Sequence, residues 1–256
     1  MNYARLCIVT AVDVEFDAAA RLLASPPRAE ENGLQVCRGR RGDRRVTLLK
    51  TGMGARGFAP RLRAHLAADP ADAVLVAGLA GALAPDLAAG DLVLYDRCLD
   101  ARNERELAPG RDEIASIVMD DALPDILAAL FHTAGQRVRV APGITVGEVL
   151  VTAQAKLALG ARHRAAAVDM ETFEIAVACR EQGIPFAALR VVSDEAGQDL
   201  PDFNRAYDAA GRVLPAQMAA ALLARPAVTA RFLRQLRPVM RSFRNALTVA
   251  LDAPLV

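Results

Sequence analysis

The chain reads as an α/β protein: a mostly central sheet covered by helices on both sides. Two observations predict this. Short apolar runs alternate with segments of helical spacing along most of the length. Several runs, such as LCIVTA, AVLVA and FAALRVV, are apolar almost throughout, as strands buried on both faces must be. With 256 residues, 53% of them hydrophobic, one such domain can use the whole length.

The elements follow in order. Leu6 to Ala11 suits a buried strand, and Phe16, Ala19, Ala20 and Leu23 recur after it at helical spacing. Residues 34–37 and 46–50 are predicted strands around the turn RGRRGDR. The glycine-rich TGMGARGF leads into a helix over 55–68. Residues 73–77 read as a fully buried strand that ends in a glycine-bearing turn, GLAGALAPDLAAGD, before a strand over 92–95. Residues 114–134 are expected to be mostly helical, interrupted near Pro124. A strand over 138–146 and a short helix over 152–160 come next. Residues 165–168 form a strand that runs straight into a helix at VDMET; Gly183 and Pro185 stop that helix. Residues 186–192 are a further buried strand, closed by Ser193 and Asp194, and a helix over 202–223 follows. Composition shifts only after Ala224, where Arg225, Arg231, Arg234, Arg237, Arg241 and Arg244 face a single acid, Asp252. The chain therefore divides into a body, 1–224, and a basic C-terminal extension, 225–256.

Several classes of function are disfavoured. A formal net charge of +1 gives no global attraction to nucleic acid. The longest uncharged apolar run, Ala73 to Pro85, is shorter than the roughly 20 residues of a spanning helix. The N-terminal run LCIVTAV is short, ends at acids and has no cleavage-like site, so no signal peptide is expected. Cys7, Cys37, Cys98 and Cys179 form no CxxC and read as reduced thiols of a cytoplasmic protein. His65, His132 and His163 set no metal spacing, and neither metal nor cofactor is expected.

Three acids stand where such a sheet gathers ligands, beyond the carboxyl ends of strands: Glu15, Glu171 and Asp194. Apolar sequence precedes each, and desolvation there would raise a carboxyl pKa. Carboxyl groups in different environments can serve as acid and base on one bond. Acids at helix starts also act simply as caps. Asp169 fits an N-cap position, and Asp194 could merely begin the turn SDEAG. Arg190, inside a buried strand, is expected to pair with an acid in a structural role.

GLAGALAPDLAAGDLVL, VDMET and GIPFAALRVVSDEA, in that order, resemble the nucleoside phosphorylase and nucleosidase superfamily, and within it the 5'-methylthioadenosine/S-adenosylhomocysteine nucleosidases. The resemblance covers roughly residues 5–222. It implies a three-layer α/β/α sandwich around a twisted mixed sheet, and cleavage of the N-glycosidic bond between a purine and ribose. It further implies that Asp194 protonates the purine at N7 and that Glu15 activates the attacking water. Glu171, as an anion, would hold the ribose hydroxyls, with Met170 and Met53 against the sugar. The strand end Gly78-Leu79-Ala80-Gly81, Leu150 near the base and Ser193 beside the acid complete the expected binding set. The phosphate-gripping arginine and serine of the phosphorylases are replaced by Val76 and Leu79, although Arg56 and nearby amides remain available. Water is therefore the expected nucleophile, and phosphate the alternative. A nucleoside-binding protein without activity is a third reading.

The run SDEAGQDLPDFNRAYDAAGR and the longer C-terminus resemble the hopanoid-associated branch, which implies a lipid-linked substrate such as adenosylhopane. On a helical wheel Phe232, Leu236, Val239, Phe243 and Leu247 share one side of the tail and its arginines the other. That pattern suits a helix lying on an anionic membrane at the inner surface of the cell, or one packed on the core or on a partner subunit. Pro238 should kink it. A homodimer is expected.

Overall fold

A computed structural model describes residues 3–24, 27–54, 57–103, 114–119 and 122–252. Its centre is a ten-stranded mixed sheet. Strand β1 (Arg5–Thr10) lies parallel to both β4 (Arg44–Lys50) and β5 (Ala73–Ala82). Outside β4 the sheet continues antiparallel through β3 (Leu34–Arg41) to the short β2 (Arg28–Glu31), which the sequence did not announce. On the other side β5 pairs in parallel with β10 (Phe186–Asp194). From β10 the path runs antiparallel to β6 (Leu92–Asp100), then to β8 (Val138–Thr145) and β9 (Ala167–Asp169), and returns antiparallel to β5. Five strands thus close into a ring. Its interior is tight: a Cβ at Gly143 would lie 2.0 Å from the Tyr95 ring.

Alternation along the central strands sorts the core into two layers. In β1, Cys7 and Val9 face one side, and Leu6 and Ile8 the other. In β5, Val74 and Val76 oppose Ala73, Leu75 and Ala77; in β10, Phe186, Ala188 and Val192 oppose Ala187, Leu189 and Val191. The first set packs on helices α2 (Phe58–Ala68) and α5 (Thr172–Glu181) through Phe58, Leu62, Phe173 and Ala176. The second packs on α1 (Asp13–Ala20), α3 (Ala122–Thr133) and α7 (Pro226–Asp252) through Phe16, Leu127, Phe131 and Phe243. This is the expected three-layer sandwich. Helix α4 (Ala153–His163) lies near the site, and α6 (Pro215–Ala224) precedes α7.

Three expectations need correction. GLAGA is strand rather than turn: β5 runs on to Ala82 because both of its edges are paired there, Gly81 opposite Asp194 on one side and Val168 on the other. Ladder hydrogen bonds outweigh the weak strand preference of glycine. Within 114–134 lies a strand, β7 (Ser116–Val118), paired with β6, and only the part from Ala122 is helix. The helix expected over 202–223 begins only at Pro215; residues 201–214 form turns held by bonds such as Leu214 N–H to the Ala206 carbonyl (2.8 Å). The residues 55–56, with Arg56, and 253–256 lie outside the described residues, as do 104–113 and 120–121.

Helix α7 runs unbroken through Pro238. Its apolar side is covered within the chain: Val239, Phe243, Ala246, Leu247, Ala250 and Leu251 are buried in the second core layer. The β3–β4 turn clamps its end. Arg44 Nη1 donates to the Leu251 carbonyl at 3.0 Å and Arg41 Nε to Asp252 at 2.6 Å, placing cations at the negative helix terminus. No helix among the described residues is long and apolar enough to cross a membrane.

Candidate active site

Along one edge of β5, β1 ends opposite Val76 and β9 begins opposite Gly81. Between them β5 has no strand partner on that edge, and its amides face a crevice at the carboxyl end of β1. Glu15 fills this gap. It sits in the first turn of α1 and is 3% exposed. Its Oε1 accepts the Leu79 N–H at 2.7 Å, and its Oε2 accepts those of Ala11 (2.9 Å) and Val12 (3.1 Å). Burial pushes its pKa up, against the pull of these amides and of Arg190. The result is a carboxyl group that is a stronger base than an exposed glutamate. Gly78 is not on the wall of the cavity; it lies beneath, where a Cβ would come within 2.5 Å of Arg190 Nη1 and 2.9 Å of Glu15 Oε1.

The two acids of VDMET diverge. Asp169 ends β9 and turns inward. Its Oδ1 accepts from Thr145 Oγ1 (3.0 Å) and from the amides of Glu171 (3.0 Å) and Thr172 (2.9 Å), and its Oδ2 accepts the Thr172 hydroxyl (2.5 Å). It therefore caps α5 with its side chain, although Glu171 occupies the N-cap position itself. Arg190 lies 3.4 Å from Asp169 Oδ2, both side chains being almost wholly buried, and also donates to the Thr172 hydroxyl. Burial alone would lower the Arg190 pKa, but Asp169, Tyr95, Glu171 and Glu15 raise it on balance.

Glu171 turns the other way, into the cavity. Its Oε1 accepts the Gly54 N–H at 2.7 Å, joining VDMET to the TGMG turn. Gly54 has φ +55°, which favours glycine, and a Cβ there would press on the end of the Met170 side chain. Burial pushes the Glu171 pKa up to about 8; Asp169 and Glu15 add to the rise, while Arg190 and the Gly54 amide oppose it. Glu171 is thus mostly protonated at pH 7, not the anion expected from the sequence.

Asp194 ends β10 opposite Gly81 and is 2% exposed. Its Oδ1 accepts the Ser193 hydroxyl at 2.5 Å. Its Oδ2 accepts from Lys156 Nζ at 2.7 Å, and the same ammonium donates to the Glu195 carbonyl at 2.5 Å. Lys156, on α4, is 1% exposed. Sequence reading missed it. The available signal was its spacing: it shares a helix face with Gly160, which packs against Leu83.

Glu15, Glu171 and Asp194 line one cavity of about 350 Å³, together with Met53, Leu79, Ala80, Gly81, Leu150, Met170 and Ser193. The sequence also missed the far wall. Phe203 and Tyr207 come from the loop before α6, Met218 and Leu222 from α6, and Phe232, Leu233 and Leu236 from the first half of α7. Phe203 and Phe232 pack ring to ring, centroids 5.5 Å apart. That loop is seated on the TGMG turn at Gly211, where a φ of +72° and the 2.5 Å at which an added Cβ would meet the Gly52 carbonyl carbon admit only glycine. The apolar stripe of the tail is thus divided between the core and this wall.

A three-layer sandwich with buried acids at its strand ends and an apolar far wall is the frame of a small-molecule enzyme. The chain belongs to the phosphorylase superfamily, whose family model matches residues 5–224. A curated relative, the futalosine hydrolase of Streptomyces coelicolor, is 32% identical over 201 residues, covering 75% of this chain and 84% of the relative. Among solved structures, the 5'-methylthioadenosine/S-adenosyl homocysteine nucleosidase of Campylobacter jejuni matches with a TM-score of 0.74 at 18% identity, over 97% of both chains. A futalosine hydrolase mutant of Helicobacter pylori matches with a TM-score of 0.72 at 15% identity, over 97% of this chain and 98% of the other. At these identities the structural likeness is one of fold.

Proposed function

We propose that the protein is a nucleosidase that cleaves the N-glycosidic bond of a 5'-substituted purine nucleoside with water. The observation that carries this reading is the convergence of Glu15, Glu171 and Asp194, from three separate strand ends, on one cavity. In this reading C1'–N9 breaks and its electron pair leaves with the base, while a water oxygen bonds to C1'. Glu15, made more basic by burial, takes the water's proton. Asp194 gives a proton to N7, so that the base leaves neutral. Glu171 accepts from one ribose hydroxyl and donates to its neighbour, which holds the ring rather than charging it. Leu79 has its amide committed to Glu15, so one donor that a phosphate dianion would need is already engaged; this favours water over phosphorolysis. The relative named as a hydrolase is consistent with that preference.

The 5' substituent, in this reading, lies along Phe203, Phe232, Leu233 and Leu236 and is apolar. A lipid-linked nucleoside such as adenosylhopane fits that wall. The reading includes a homodimer, supported by α6, whose sequence PAQMAAALLA is almost wholly apolar yet buries no residue within the chain. The test is incubation with 5'-methylthioadenosine, S-adenosylhomocysteine, futalosine, inosine and a lipid-extract nucleoside, with and without phosphate, followed by chromatography of the free base. Release without phosphate is expected. Strict dependence on phosphate would make the protein a phosphorylase, and binding without release would make it a nucleoside-binding protein.

A further inference from the structure

We propose that Lys156 is a positioning residue: it holds Asp194 ionised between turnovers and passes it the proton that the departing base takes. The inference rests on the nucleosidase reading and extends it. Asp194 Oδ2 accepts from the Lys156 ammonium at 2.7 Å, so the carboxyl group faces a proton donor on the side away from the base. The proton available for transfer is therefore on Lys156 Nζ. As C1'–N9 breaks, the electron pair moves onto the purine and N7 becomes strongly basic. N7 takes a proton through Asp194: one N–H bond of Lys156 breaks, an O–H bond forms and breaks at Asp194, and an N–H bond forms at N7. Lys156 is left as a neutral amine, still held by the Glu195 carbonyl. The proton that the water gave to Glu15 leaves to solvent, and solvent restores the ammonium, so charge and protons balance over a turnover.

The use of lysine here is informative. Of the 31 lysines and arginines in the chain, only Lys50 and Lys156 are lysines. Lys50 is half-buried and pairs with the exposed Asp13. Arginine serves at the other cationic positions, including the buried clamp on Asp169. Arginine cannot release a proton under ordinary conditions, whereas a buried lysine can. The other charges around the pair are occupied. Glu195 is bound to Arg231 at 2.9 Å, and Asp199, which senses the Lys156 charge, is bound to Arg225 at 2.7 Å. Glu148 lines the mouth, and Glu171, Glu15 and Asp169 with Arg190 stand across the cavity.

The test is the pH profile of base release from 5'-methylthioadenosine, S-adenosylhomocysteine and futalosine by the full-length protein and two variants, with folding checked by circular dichroism. Lys156→Met removes the ammonium but keeps the length of the side chain. Its kcat should fall at least 10-fold, and its alkaline limb should move to lower pH by at least one unit, because Asp194 must then carry the proton alone. Lys156→Arg keeps the charge but not the exchangeable proton, and should also lose at least 10-fold. A lower kcat with an unmoved limb in the methionine variant, or an arginine variant near wild-type activity, overturns the relay and leaves the nucleosidase reading intact. If only one variant folds, it decides alone. No release by the wild type from these nucleosides or from a lipid-extract nucleoside overturns both.

Discussion

Gly54 donates its backbone N–H to Glu171 Oε1 at 2.7 Å, across 117 residues of sequence. This one bond makes Oε1 an acceptor and holds the carboxyl group at the cavity. It joins two sequence motifs that line the cavity, TGMG and VDMET.

The state of Glu171 has a measurable consequence. Its pKa is about 8 in the folded protein and near 4.5 in the unfolded chain. Between these values the folded state binds the proton more tightly, so the group's contribution is fully present below pH 4.5 and is lost as pH rises through 8. From pH 6 to 8.5 the wild type should lose about 2–3 kcal/mol through this group. Glu171→Gln should lack that component, and so gain relative stability at pH 8.5 while losing turnover. Urea denaturation at the two pH values reads the difference; equal slopes in both proteins would contradict the assignment.

Asp194→Asn should fold, with lowered stability, because Lys156 is left buried without its counter-charge. Turnover should fall by about 10²–10⁴-fold, the usual contribution of a positioned acid. A variant that releases base at the wild-type rate would remove Asp194 from the chemistry.

Arg190 is predicted to matter more for stability than for rate. Arg190→Met leaves Asp169 buried and unpaired beneath the VDMET turn. The expected loss is about 3–5 kcal/mol in urea unfolding, the range found when one partner of a buried pair is removed. A loss below about 1 kcal/mol would mean that the amides and hydroxyls around Asp169 suffice without the guanidinium.

Phe232→Ala and Leu236→Ala trim the far wall without touching the carboxyl groups. For a nucleoside with a long apolar 5' group, each should raise KM about 10-fold at nearly constant kcat, since a lost apolar contact costs about 1–3 kcal/mol. Adenosine should be little affected. Equal changes for both substrates would mean that the wall supports the fold rather than the substrate.

The central strands were legible because burial on both faces leaves a plain apolar record, as in LCIVTA and FAALRVV. The three acids were legible because each follows such a run. What escaped depends on contacts distant in sequence. The GLAGA strand owes its form to β9 and β10, more than 80 residues away. Residues 201–214 are shaped by the close seat of Gly211 on TGMG, which no local spacing encodes. Lys156 escaped because a single lysine in a helix is ordinarily solvated. The tail's stripe was seen, but periodicity cannot tell an apolar face against the core from one lining a cavity, and α7 does both. The protonation of Glu171 escaped because burial on all sides cannot be read from its neighbours in sequence.

The ring closed by β10, β6, β8, β9 and β5 also bears on how the chain avoids sticking to itself. Ring closure turns the backbone donors and acceptors of its strands inward to one another. At its two ends the described sheet terminates in short pieces: the four-residue β2, whose sequence RAEE is mostly charged, and the three-residue β7. Neither offers a long, flat template on which a second chain could add a strand. At these two ends a chain with ten described strands and a hydrophobic content of 53% is guarded against edge-to-edge growth.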